Sequence, residues 1–146
     1  HNPLAGARTN VIVGFPGETQ ADVTELINFI EGARLDAVGV FAYSDEDGTA
    51  AVKLDGHISD HEIQARFEEV SKVALRVSED VARSRIGQEV SVLIEDSGNQ
   101  GRSEHQGPEV DGSTTVISDQ ELVIGEFVRA IVVDSLGVDL VAKQMT

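Results

Sequence analysis

The 146-residue chain contains no cysteine and no tryptophan, and only 4% of its residues are aromatic. Without thiols it forms no disulfide and offers no thiolate to a zinc ion or an iron–sulfur cluster. No apolar run approaches the ~18 to 20 residues that cross a bilayer, and the first residues lack the pattern of a signal peptide. These absences predict a cytoplasmic protein. Because the chain opens on His1 without a Met, we expect it to be a piece of a longer one.

Basic residues are also scarce, since 11 Lys and Arg stand against 26 Asp and Glu, a formal net charge of −15. Residues 1–85 carry 8 basic and 15 acidic residues (8 − 15 = −7), and residues 86–146 carry 3 and 11 (3 − 11 = −8). Such a surface repels phosphate backbones, which disfavours a nucleic-acid partner. Acidity that only maintains solubility is the alternative interpretation.

The first 43 residues have the pattern of a strand, a helix and a second strand. A β-branched run at 11–13 ends at Gly14, and Thr19 with Asp22 is typical of a capping box. The helix that follows has apolar residues at i, i+3, i+4 and i+7, namely Val23, Leu26, Ile27 and Ile30, with Gly32 near its end. A buried run, Ala37–Tyr43, then predicts a second strand parallel to the first, in a right-handed βαβ unit.

A longer helix is predicted from Asp60 to about Arg85, with Ser59 and Glu62 as its capping box. Its apolar residues recur at alternating steps of four and three: Ile63, Phe67, Val70, Ala74, Val77 and Val81. The stripe fits packing against the sheet, and a coiled-coil seam is the alternative.

The pattern changes near residue 87, where alternating apolar residues replace the helical period. Strands are predicted at Val90–Ile94, Thr114–Ile117, Phe127–Val133 and Val138–Lys143, and the polar segment 101–112 is expected to form a hairpin with an Asp-Gly turn. Several short strands without a helix predict a small antiparallel β-barrel. The domains are therefore expected to be 1–85 and 86–146, an α/β part followed by an all-β part.

Single motifs give weak functional signals. The Gly14–Glu18 turn follows a buried parallel strand, where α/β proteins bind ligands, but it lacks a Walker lysine. His57 and His61 do not share a helical face, and the acidic turn 45–48 lacks the later ligands of a calcium loop. No residue is identified as a catalytic nucleophile or base. The barrel, with Phe127 as its only aromatic residue, suits a basic polypeptide better than a nucleic acid.

Taken in order, several segments resemble the radical-SAM methylthiotransferases. They are Arg8–Thr19, Phe41–Ser44 with Gly48-Thr49, and, in the barrel, Gly101–Ser103, Pro108–Gly112, Gly125–Val128 and Asp139–Val141. The resemblance implies a C-terminal fragment of such an enzyme. Its fold would be the last two β/α units of a TIM-like radical-SAM barrel, followed by a TRAM domain, which is a small OB-like β-barrel.

The resemblance also implies cofactors. The whole enzyme would use S-adenosylmethionine and two four-iron four-sulfur clusters, whereas the fragment, lacking the cluster cysteines, is expected to bind none and to be inactive alone. Residues implied to line the S-adenosylmethionine cavity are Ile12, Val13, Gly14, Phe41 and Tyr43. No residue of the chain is implied to be catalytic or to bind a metal.

Two substrates occur in this family, an aspartate of small-subunit ribosomal protein twelve and, in MiaB-like enzymes, a tRNA adenosine. The acidic barrel and the sequence of residues 40–49 favour the basic ribosomal protein. Charge and loop position suggest Glu104, Glu109 and Asp111 as its contacts. A non-catalytic acidic module for a basic polypeptide is the alternative of another class. Because strands central to a barrel would be edges in a fragment, self-association through residues 9–43 is expected.

Overall fold

The computed structural model describes residues 5–108 and 110–145. The chain divides into two compact units, Arg8–Val77 and a second one that comprises the described residues from Ser78 onward together with residues 5–7. The division falls inside a long helix, about eight residues before the domain boundary that the sequence suggests.

The first unit contains a parallel βαβ arrangement. Strand β1 (Arg8–Val13) pairs in parallel with β2 (Ala37–Ala42), from Arg8 opposite Ala37 to Val13 opposite Ala42. Helix α1 (Gln20–Ala33) connects them, and a 3-10 turn (Ala51–Lys53) precedes helix α2 (Asp60–Ser84). The predicted strand–helix–strand order and the parallel pairing are confirmed.

The ends of α1 follow from local hydrogen bonds. Thr19 and Asp22 form the predicted capping box, in which each side chain accepts a hydrogen bond from the other residue's backbone N–H. At the other end Arg34, with φ +48°, adopts the left-handed conformation and donates its N–H to the carbonyl of Ile30. Gly32 therefore lies inside the helix and does not end it.

The apolar stripe of α2 is buried, as its period predicts. Val70, Ala74 and Val77 are at most 3% exposed, while Phe67 is only half-buried. The helix begins with the hydroxyl of Ser59, which accepts a hydrogen bond from the Glu62 N–H. No helix in the described ranges has the length and apolarity to cross a membrane.

The second unit contains a closed five-stranded barrel. Its strands are β3 (Glu89–Asp96), β4 (Gln100–Ser103), β5 (Thr114–Ile117), β6 (Phe127–Leu136) and β7 (Asp139–Gln144), in the order β3-β4-β5-β7-β6. Four pairings are antiparallel, but β5 and β7 run parallel, so the prediction of an antiparallel barrel is wrong for this pair. Strand β4 overlaps the start of the segment 101–112, which was expected to form a hairpin, and it pairs antiparallel with β5.

The barrel interior is apolar with one polar corner. Its core consists of Ala82 from α2 and alternate residues of the strands: Val90, Val92, Ile94, Val116, Ala130, Val132, Leu140 and Ala142. In the corner the Gln106 side chain accepts hydrogen bonds from the Ser103 N–H (2.9 Å) and the Thr114 hydroxyl (2.6 Å), and donates to the Ser113 carbonyl (3.0 Å). The buried polar groups thus satisfy one another.

Candidate functional site

The carboxyl ends of β1 and β2 lie side by side, where open α/β sheets and barrels bind ligands. The Tyr43 N–H donates to the Val13 carbonyl at 2.8 Å, which extends the parallel pairing beyond β2. Gly14 then turns the chain with φ +86°, and a β-carbon there would lie 2.7 Å from Cγ1 of Ile63. Only glycine fits both this conformation and this contact.

A buried ion pair fixes the turn after Gly14. The Glu18 carboxylate accepts hydrogen bonds from the Gly14 N–H (3.0 Å) and from the Arg66 guanidinium (2.8 Å), which also bonds the Glu18 carbonyl and the Glu62 carboxylate. Arg66 is 5% exposed. Burial disfavours its charge, but the hydrogen bonds to Glu18 and Glu62 outweigh burial and hold the pKa of Arg66 above its ordinary value. Helix α2 thus holds the strand end in place.

Aromatic and polar side chains surround the second strand end. The rings of Phe15 and Tyr43 meet edge to face, with centroids 5.3 Å apart. The Tyr43 hydroxyl donates to Asp45 at 2.8 Å, and Nδ1 of His57 lies 3.5 Å from the other oxygen of that carboxylate. Burial, the hydrogen bond and the negative charge of Asp45 raise the pKa of Tyr43. A hollow of about 280 Å³ opens beside them, lined by Ile12, Ala42, Tyr43, Ser44, Glu46, Thr49 and Ala51.

The five expected cavity residues fall into two groups. Ile12 and Phe41 are directly opposite each other on the exposed face of the sheet, 59% and 53% exposed, and Tyr43 is half-buried at the strand end. Val13 is fully buried on the other face and Gly14 is buried against Ile63, so neither presents a side chain on the exposed face. The structure therefore brings Ile12, Phe41 and Tyr43 to one region, while the Val13 side chain packs on the opposite, buried face of the sheet.

The barrel carries a second hollow, of about 400 Å³. It is lined by Glu95, Asp96, Gln100, Gly101, Arg102, Val110, Gly112, Ser113 and Asp139. Asp139 accepts hydrogen bonds from the N–H and the hydroxyl of Ser113, at 2.7 and 3.1 Å, and Arg102 Nε contacts both carboxylate oxygens of Glu95, at 2.8 and 2.9 Å. Three carboxylates and one guanidinium give this hollow an acidic character.

The three residues suggested as protein contacts differ in their surroundings. Glu104 is exposed and accepts a hydrogen bond from the Ser91 N–H at 3.0 Å. Asp111 is half-buried, and its carboxylate accepts from the Gly107 N–H at 2.9 Å, which braces the loop before β5. Glu109 lies outside the described residues.

Sequence reasoning missed two groups that shape these regions. In the sequence Arg66 looks like one more exposed charge on α2. However, it lies between Ile63 and Val70 on the apolar face of the helix, and this position could have indicated that its side chain is buried. Gln106 lies in a polar loop and gave no signal of burial, since its partners come from two other segments, the end of β4 and the start of β5. Among the described residues no group of three or more His, Asp or Glu is arranged to hold a metal ion.

Comparison with known proteins identifies the barrel. Residues 86–145 match the family model of the TRAM domain. This match covers β3 to β7 and ends one residue before the end of the chain.

The whole chain resembles larger proteins. It is 49% identical over 99% of its length to the ribosomal protein uS12 methylthiotransferase RimO of a Nocardioides species, and 51% identical over 97% of its length to that of Saccharopolyspora erythraea. The corresponding protein of Streptomyces avermitilis is 47% identical over 98% of the chain. The chain spans about 30% of the length of these relatives: 32%, 30% and 30%, respectively. With its match to the TRAM domain and this degree of identity, the chain is similar to the C-terminal part of the RimO methylthiotransferases.

Proposed function

We propose that the chain acts as the C-terminal part of a radical-SAM enzyme that methylthiolates an aspartate of ribosomal protein uS12. The observation that carries the proposal is the identity of about half of all residues, along nearly the entire chain, to relatives named for that reaction. The identity includes both units, and so it concerns the strand ends as well as the TRAM barrel.

In this proposal residues 1–85 complete a radical-SAM domain and residues 86–146 are the TRAM domain. The parallel β1–β2 pair with its helix would be the last two β/α units of a TIM-like barrel. The exposed Ile12 and Phe41 support this, because barrel interiors are lined by alternate apolar residues of parallel strands. Active sites of such barrels lie at the carboxyl ends of the strands, which is where Gly14 and Tyr43 lie.

The exposed strand ends suit an organic cofactor. The apolar side chains of Ile12 and Phe41 and the edge of Tyr43 would pack on S-adenosylmethionine, while Val13 and Gly14 contribute backbone. When bound, S-adenosylmethionine supplies the methyl group and the radical chemistry of this enzyme class. Iron–sulfur clusters need thiolate ligands, and with no cysteine the chain has none to offer. We therefore assign no cluster to these residues and expect the chain to be inactive alone.

The TRAM barrel would dock the substrate protein. Ribosomal proteins bind RNA, and a basic one is attracted by the formal charge of −8 on residues 86–146 (3 − 11). Glu104, Glu109 and Asp111 remain our proposed contacts. Of the two that the structure describes, Glu104 is exposed, whereas Asp111 is half-buried and its carboxylate accepts a hydrogen bond within its own loop.

A first experiment reads the protein sequence upstream of His1 for Cys-x-x-x-Cys-x-x-Cys. Its presence supports a radical-SAM enzyme. If the segment encoding this chain is preceded by no such motif, the enzymatic proposal is wrong, and a non-catalytic acidic module becomes the better interpretation.

A second experiment assays the longer protein with S-adenosylmethionine and purified uS12, using mass spectrometry to detect the methylthio group. We expect Phe41→Ala to lower the rate by about tenfold or more, because misplaced reactants lose the benefit of orientation. Phe29→Ala is the matched control, since Phe29 is also 53% exposed but lies on α1. Modification of a tRNA instead of uS12 would place the enzyme in the MiaB-like branch.

A further inference from the structure

The outer surface of the TRAM barrel carries a row of three side chains that neither the core nor the turns explain. Leu93 of β3 is directly opposite Phe127 of β6 on one side and Arg102 of β4 on the other. The neighbours Val92 and Ile94 point inward and are fully buried, so the side chain of Leu93 points outward. We call Arg102, Leu93 and Phe127 the Phe127 strip.

Phe127 is unusually exposed for its size. It is 71% exposed, although it is paired with Leu93 at the end of the ladder between β3 and β6. Covering a phenyl ring of this kind on binding removes apolar area from water, and aromatic residues dominate the energetics of protein interfaces. The ring can also contact a cation on its face or the aliphatic stem of an arginine.

Charges around the strip indicate which partner fits. Both arginines on this surface are already engaged, Arg102 by Glu95 and Arg129 by Glu89 at 2.9 Å. Glu104 and Glu126 add two exposed carboxylates beside the strip. At its Arg102 end the strip opens into the acidic hollow of about 400 Å³. A phosphate backbone would find its potential cationic contacts already paired, whereas a lysine or arginine would find carboxylates.

We propose that the Phe127 strip is the docking surface for a basic polypeptide segment, with Phe127 as the aromatic anchor and the acidic hollow receiving one basic side chain. This inference rests on the proposed function, in which the partner is a basic ribosomal protein. Barrels of this shape also bind single-stranded nucleic acids through aromatic residues on a strand face, which makes RNA the competing outcome of the test.

The barrel supplies a matched control for Phe127. Leu136 lies on the same strand, β6, is 72% exposed, and is nine residues away, roughly 30 Å along an extended strand. Truncating either side chain removes a comparably exposed apolar group and leaves the core intact. A difference between the two variants therefore reports on position and not on folding.

The test measures binding of the 146-residue chain to purified uS12, to an arginine-rich peptide and to a single-stranded RNA, at low and high salt. We expect uS12 to bind, Phe127→Ala to weaken it by roughly tenfold, as for an interface hot spot, and Leu136→Ala to change it by less than about twofold. Salt should weaken the complexes with the two basic partners, uS12 and the arginine-rich peptide. Amide shifts in an NMR titration should concentrate at residues 91–95, 102 and 127–129.

The outcomes separate the two proposals. If uS12 binds and Phe127→Ala has no larger effect than Leu136→Ala, the Phe127 strip is not the docking surface, but the proposed function stands. If only the arginine-rich peptide binds, through Phe127, the strip is supported and the choice of uS12 fails. Tighter binding of the RNA through Phe127 overturns the inference in favour of a nucleic-acid surface, and binding to none of the three probes overturns it outright.

Discussion

Gly14 stands where β1 leaves the sheet, and two independent constraints act on its single α-carbon. Its φ of +86° is disfavoured for residues with a side chain, and Ile63 occupies the space that a side chain would need. The sequence predicted a strand end at Gly14 because glycine follows a β-branched run. It could not predict the contact with Ile63, 49 residues later, because that contact depends on how α2 packs.

Replacing Gly14 with alanine should destabilise the first unit by about 2–5 kcal/mol, from about 1–2 for the left-handed backbone and about 1–3 for overpacking. Gly17→Ala is the control, since Gly17 has φ +89° but nothing within 4 Å of its β-position, and should lose only about 1–2 kcal/mol. Tyr43, the only tyrosine in a chain without tryptophan, reports this unfolding by fluorescence in urea. Equal losses in both variants would show that Ile63 is not the cause.

In the barrel, Gln106 is the residue whose replacement we expect to destabilise the fold. Gln106→Leu keeps much of the volume but leaves the buried Ser103 N–H without its partner, while the Thr114 hydroxyl keeps its bond to the Ser103 hydroxyl and the Ser113 carbonyl keeps its bond from the Leu140 N–H. We therefore expect a loss of about 1–3 kcal/mol. Gln100→Leu, whose amide bonds the Ser113 hydroxyl at an exposed position, should change stability by only about 0.5 kcal/mol. Amide hydrogen exchange of β3 to β7 measures both. Unchanged protection in Gln106→Leu would contradict this role.

At the scale of elements, the helices and most strands follow from local signals. The capping box of α1, the apolar stripe of α2 and the alternation in β3 each lie within one stretch of sequence. Strand β4 was missed because Gln-Gly-Arg-Ser has almost no apolar residue, and it becomes a strand through pairing with β3 and β5. The parallel β5–β7 pair was missed for a related reason, since the pairing partner of a strand is set by the whole barrel.

The capping box of α1 predicts a pH dependence. Hydrogen bonds from the Thr19 side chain and backbone lower the pKa of Asp22 below its ordinary value of 3.8. The unfolded chain therefore binds a proton at Asp22 more readily than the folded one. The stabilisation is present above about pH 4 and is lost as the pH falls below that value through the lowered pKa of the folded state. Asp22→Asn should reduce this acid sensitivity of the first unit.

Urea unfolding followed by Tyr43 fluorescence, at about pH 6 and about pH 3, measures the effect. Glu25→Gln is the control, as Glu25 is an exposed carboxylate on the same helix outside the capping box. A pH dependence that is the same in Asp22→Asn and in the unchanged chain would rule out Asp22 as its source.

At the scale of the whole molecule, the first unit leaves an apolar sheet face and the outer edges of its two strands uncovered by any strand in the described residues. Exposed strand edges pair with other chains. We therefore predict that the chain self-associates through residues 9–43 as its concentration rises. Phe41→Lys should reduce this association in sedimentation velocity, whereas Phe29→Lys, at an equally exposed phenylalanine on α1, should not. A chain that stays monomeric at high concentration would contradict the prediction.

The candidate sites also show where sequence reasoning ends. Motif order led to the family, and the strand period placed Ile12 and Phe41 near a strand end. The sequence could not predict that Ile12 pairs with Phe41 or that Leu93 pairs with Phe127, because these pairs depend on the register of each sheet. The barrel charge could be counted in advance, but the engagement of both barrel arginines by glutamates of β3 could not, because charges far apart in sequence meet only after folding.

The position of β7 between β5 and β6 has a consequence for biosynthesis. Strands β3, β4 and β6 can pair as the chain emerges from the ribosome, but β5 and β6 have no common neighbour until residues 139–144 have been made. The nascent barrel therefore stays open, with unpaired edges, until translation of this segment is nearly finished. A stalled or truncated translation product lacking these residues would expose those edges, which makes it a natural substrate for chaperones and proteases.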